Sequence, residues 1–137
     1  MAYEIIQVEY YNITAANQIA DASKLISTVV KAGVDFHAFK AIPLNSNQTQ
    51  FTFFAKDSSK ITDGAKKEGL KLDGPYPALL IKGNEEAGAL GGIYSKLSNA
   101  GIQVNEACGI ADINNGYGVI LYLNQEDCGK AFTVLQK

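Results

Sequence analysis

The side chains able to do chemistry in this 137-residue chain are few and widely spaced. A single histidine, His37, lies in an apolar stretch between Phe36 and Phe39, and two cysteines, Cys108 and Cys128, stand twenty residues apart. A zinc site needs four close donors of these kinds, which one histidine and two distant cysteines do not supply. The cysteines read instead as reduced, buried thiols packing as small apolar groups. Acid–base catalysis calls for His, Asp and Glu converging on one place, and no such spacing occurs. Neither a phosphate loop nor a serine-nucleophile elbow is present. No catalytic residue, metal ligand or cofactor is therefore expected, and the residues suit binding better than turnover.

The segment best suited to binding is Asn84-Glu85-Glu86-Ala87-Gly88-Ala89-Leu90. A glycine where a helix opens lets unpaired backbone N–H groups face outward, and those donors, with the helix dipole, suit a carboxylate. Gly88 is placed to do this. Glu85 and Glu86 would repel an anion but would meet the ammonium of an amino acid; equally, they would stabilise the start of the helix. Both readings of the glutamates stay open.

Such a turn must be held by a strand before it and a helix after it, and the chain supplies that arrangement twice. Shifted by 68 residues, Ala32-Gly33-Val34-Asp35-Phe36 falls on Ala100-Gly101-Ile102-Gln103-Val104, and Phe51-Thr52-Phe53-Phe54-Ala55 falls on Val119-Ile120-Leu121-Tyr122-Leu123. Gly33 and Gly101 read as left-handed caps closing a helix. Asn45-Ser46-Asn47 and Asn114-Asn115-Gly116 read as hairpin turns. The first copy is expected to run as a strand over 4–11, a helix through Ile19, Ala22, Ile26, Val29 and Val30, strands over 34–43 and 50–56, a helix over 59–68 and a short closing strand at Leu70–Leu72. Asp73-Gly74-Pro75-Tyr76-Pro77 reads as a linker. The second copy then gives a strand over 78–82, a helix over 88–99 on Leu90, Ile93 and Leu97, a strand pair over 102–111 and 118–124, and a helix over 125–136. It lacks a closing strand, which leaves a sheet edge for another chain to cover.

The expected fold class is α+β: two ferredoxin-like βαββα(β) repeats, antiparallel sheets with helices on one face, in residues 1–73 and 76–137. Units this small need each other for a sufficient core. The apolar share of 47% supports such a core.

The stretch from Ala78 to Val104 resembles an ACT domain, a ligand-sensing module of amino-acid metabolism. It has the apolar strand, the glycine turn with Ala89-Leu90 opening a helix, and Ala100-Gly101-Ile102-Gln103-Val104 leading into the next strand. It departs from that pattern at Glu85, Ala87 and Gln103, and the first half carries Asn17-Gln18-Ile19-Ala20 where the glycine turn would be. The resemblance implies a tandem ACT protein that binds a small molecule, an amino acid, without turning it over, and that acts on a separate regulated protein. It also implies a homodimer in which Ile102, Gln103 and Asn105 help to line the pocket.

Charge narrows the partners. Twelve basic and fourteen acidic residues give a net charge of −2, and the lysines from Lys56 to Lys71 are interleaved with acids, so neither nucleic acid nor an anionic membrane is expected. With neither a leader nor a membrane span legible, a cytoplasmic protein is expected. Two alternatives compete with ligand sensing. One is a ligand-free structural assembly module. The other is RNA binding, because Asn115-Gly116-Tyr117-Gly118-Val119-Ile120-Leu121-Tyr122 approximates the octapeptide of RNA-recognition motifs, without its opening basic residue.

Overall fold

The computed structural model describes residues 3–16, 21–84, 88–111 and 116–136. Its elements are β1 (Tyr3–Ala16), α1 (Asp21–Lys31), β2 (Phe36–Pro43), β3 (Gln48–Ala55), α2 (Ser58–Glu68), β4 (Asp73–Gly83), α3 (Gly88–Asn99), β5 (Val104–Ala111), β6 (Tyr117–Leu123), a 3-10 turn (Gln125–Asp127) and α4 (Cys128–Leu135). The fold is α+β, and each assigned strand pairing is antiparallel.

The chain forms two compact units, residues 9–76 and residues 1–8 with 77–137. In residues 9–76 the strand order is β2-β3-β1-β4, and Phe51, Phe53, Tyr11 and Ile13 form a core with Leu25 and Val29 of α1 and Ile61 of α2. Phe53 pairs with Tyr11 in β1 and with Phe39 in β2, which makes it the hub of this core. The β2–β3 turn is held as expected: Asn47 N donates to Asn45 Oδ1 at 2.8 Å and Leu44 N to Gln48 O at 2.9 Å. Helix α2 starts on Asp57, whose Oδ1 accepts from Ser59 N at 3.0 Å, and ends on left-handed Gly69.

In the other unit the order is β1-β4-β6-β5, and Leu79, Ile81, Val119 and Leu121 meet Ile93 and Leu97 of α3 and Ala131 and Leu135 of α4. Tyr3 and Ile5 of β1 pack on this core, and Tyr3 Oη donates to Leu135 O at 2.9 Å.

Several expectations are corrected here. Leu70–Leu72 is not a strand, and Asp73–Pro77 is the first part of β4, not a linker. Proline is tolerated there because β6 pairs with β4 over Leu79–Gly83, leaving the earlier residues unpaired on that side. The second copy's missing closing strand is also replaced: β4 has β1 on its other flank, and residues 1–8 belong to the same unit. The core side of α1 is Leu25 and Val29, while Ala22 and Val30 are exposed, Val30 by 55%. Cys128 is buried but Cys108 lies exposed on β5. Residues Asn17–Ala20 and Asn114–Asn115, and the turns expected there, lie outside the described residues.

Candidate ligand site

The turn singled out in the sequence joins β4 to α3. β4 ends at Gly83, which pairs with Tyr117 of β6; a Cβ on Gly83 would stand 2.6 Å from the Tyr117 ring, so the aromatic ring occupies the space that glycine leaves. Asn84 follows, exposed, and α3 opens at Gly88. Ala89 is half-buried, and Leu90, expected in the core, is 39% exposed, leaving Ile93 and Leu97 as the apolar anchors of α3. Glu85, Glu86 and Ala87 lie outside the described residues.

The far end of α3 is tightly specified. Gly101 takes φ 71°, Ile102 N donates to Leu97 O at 2.9 Å, and Gly101 N donates to Ser98 O at 3.0 Å, the double bond of a Schellman cap. Lys130 Nζ of α4 donates to Ala100 O at 2.9 Å, placing a cation at the negative end of the helix dipole. The chain leaves this cap into β5, and between the last two turns of α3 and this exit lies a cleft of about 320 Å³. Tyr94, Leu97 and Ser98 form its helix side, and Gly101, Ile102, Gln103 and Val104 its other side.

Two of the expected binding residues, Ile102 and Gln103, therefore share a cleft. Gly88, Ala89 and Leu90 do not line it: ten residues of helix separate Gly88 from Ser98, about 15 Å of rise. Asn105 is exposed at the start of β5, where its Nδ2 donates to Asn124 Oδ1 at 2.9 Å and so ties β5 to the end of β6. Neither Tyr94 nor Ser98 is among the binding residues expected from the sequence. Their spacing of four residues, which sets them on one side of a helix, was the available signal.

Among the described residues no three His, Cys, Asp or Glu side chains gather closely enough to hold a metal ion. Burial, and then the carboxylates of Asp127 and Glu126, push the Cys128 thiol above its ordinary value, the reverse of what a nucleophile needs. The RNA reading also loses its platform, since Tyr122 is only 7% exposed and Val119 and Leu121 beside it are core.

No family model and no curated protein sequence matches the chain. Its fold nevertheless recurs over nearly its whole length in solved structures of aspartate kinase subunits. The aspartokinase alpha and beta subunit structure matches with a TM-score of 0.65 at 15% identity, covering 99% of this chain and 95% of that one. The regulatory subunit of aspartate kinase from Thermus thermophilus, in its ligand-free form, matches with a TM-score of 0.64 at 13% identity and the same coverages. Protein BT0572 from Bacteroides thetaiotaomicron matches with a TM-score of 0.81 at 17% identity, over 96% of this chain and 88% of that one.

Proposed function

We propose that this protein is a non-catalytic regulatory module, built of two ferredoxin-like repeats, that senses a small metabolite, an amino acid, and passes the signal to a separate protein partner in the cytoplasm. The observation that carries this reading is the fold shared along 99% of the chain with a regulatory subunit of aspartate kinase that is itself covered to 95%. Among the described residues no three His, Cys, Asp or Glu side chains gather, and the regulated activity in this proposal belongs to the partner. A ligand can regulate only by preferring one conformation or assembly over another.

We assign the amino acid to the start of α3, which opens at Gly88, because a helix N-terminus offers backbone donors and the positive end of the helix dipole to a carboxylate. Thermal-shift screening against the twenty amino acids tests this. The expected outcome is one or a few ligands whose stabilisation grows with concentration, reaching about 2.7 kcal/mol at a hundredfold excess over Kd. Gly88→Val should abolish that response. A flat response to all twenty overturns the reading.

A second reading, assembly without a ligand, is favoured by one observation. β5 stands at the end of the strand order, is exposed from Asn105 to Ala111, and carries Ile110 77% exposed. An open edge of this kind pairs readily with a second copy. A flat amino-acid screen together with a dimer that Ile110→Lys dissociates would select this reading.

A further inference from the structure

We propose that the cleft at the C-terminal end of α3 is a second recognition site, distinct from the start of that helix, which takes a planar, uncharged ligand bearing an amide. Three polar side chains belong to residues that line it: those of Tyr94, Ser98 and Gln103. Among the described residues none of the three is engaged in a hydrogen bond within the chain, so all their donors and acceptors are available to a ligand. Tyr94 is 41% exposed, and Leu97, Ile102 and Val104 are the apolar residues of the lining. The volume, about 320 Å³, falls at the lower end of the range for small-molecule sites, which suits a single substituted ring.

The lining favours an uncharged ligand. None of the seven lining residues is ionisable at neutral pH. The nearby ammonium groups are spent elsewhere: Lys130 is bonded to Ala100 O, and Lys96 donates to Tyr3 Oη at 3.3 Å. A carboxylate or an ammonium would lose water on entering without gaining an ion partner, a net cost. An amide loses less, and its paired donor and acceptor match a Gln103 carboxamide that can present both. Stacking of a flat ring on Tyr94 supplies the remaining attraction.

Three ligands of one shape and different charge test this: benzamide, benzoate and benzylamine, titrated into the isotope-labelled protein and followed by amide chemical shifts. Benzamide is expected to move the Gly101, Gln103 and Val104 signals in a saturable way, with an apparent affinity at least about fivefold above that of either charged analogue. Tyr94→Ala and Gln103→Ala should each weaken binding by about fivefold or more while leaving the rest of the spectrum in place, because both side chains are exposed. Gly88→Val should leave benzamide binding unchanged, which separates this site from the amino-acid reading. Equal binding of the three ligands, or shifts that survive in both cleft variants, overturns the proposal. So does an absence of shifts at Gly101 to Val104 with millimolar benzamide.

Discussion

Asp57 shows how much one side chain can specify. Its Oδ1 accepts from both the backbone N–H and, at 2.6 Å, the hydroxyl of Ser59. Those bonds, the side-chain one first, favour the charged form and hold its carboxyl below the ordinary value of 3.8. A lowered folded value means the stabilisation is fully present above that ordinary value and is lost as pH falls through the folded one. Asp57→Ala should therefore lower the melting temperature at pH 7, and by less in acid once the carboxyl is protonated, a comparison readable in thermal melts at the two pH values. Tyr76 has the opposite sign. It donates to Asp73, and that bond raises the phenol above 10.0. Its contribution is present below the ordinary tyrosine value and lost as pH rises through the folded one. In Asp73→Ala the Tyr76 ionisation, followed by NMR of the ring, should move down. Gly64 acts through space: a Cβ there would lie 2.5 Å from Ala32 Cβ, so α2 can meet the end of α1 only without one. Overpacking costs about 1–3 kcal/mol and the gain in helix propensity returns about 1. Gly64→Ala should be destabilising in urea titration, and adding Ala32→Gly should recover most of the loss.

At the scale of elements, local signals and the two hairpins were legible, and pairings between distant strands were not. Helix α3 starts and stops where the glycines say, because Gly101 at φ 71° is a conformation few other residues adopt. Both hairpin pairings were readable in the same way, from runs of β-branched and aromatic residues with a turn between them. Gly101→Ala should cost about 1 kcal/mol or more by straining the cap, and the α3 amides near it should lose hydrogen-exchange protection first. The misreadings came from effects beyond the element. Pro75 and Pro77 look like a linker until the free side of β4 is known, and α1 hides Leu25, not Val30, because the sheet beneath it decides which side is covered. The candidate site divided likewise. Ile102 and Gln103 could be named from the residues after the cap, but their company of Tyr94 and Ser98 depends on how α3 lies against the exit into β5.

For the molecule as a whole, β1 and β4 are the long strands, and each passes from one compact unit into the other, β1 between Val8 and Glu9 and β4 between Tyr76 and Pro77. The 68-residue shift aligns these two points, since Glu9 maps onto Pro77. The compact units therefore do not divide at one point in the sequence, and residues 1–8 group with residues 77–137. Val8 is buried, and Tyr3 and Ile5 pack on the core formed by residues 77–137. Removing residues 1–8 should destabilise that unit by on the order of 4 kcal/mol. Urea unfolding followed by hydrogen exchange should find the loss there, with residues 9–76 affected less.

The bond from Tyr3 to Leu135 spans 132 positions of the chain, and this sets an order of events on the ribosome. Residues 9–76 can complete their core once the start of β4 has emerged. Tyr3 and Ile5, although made before them, do not meet the complete core they pack on until α4 has been synthesised, roughly 3–12 seconds later at 5–20 residues per second. During that interval Ile5, Ile6 and Val8 form an apolar, strand-forming segment on a growing chain, the kind of segment that chaperones hold and that aggregates when they do not.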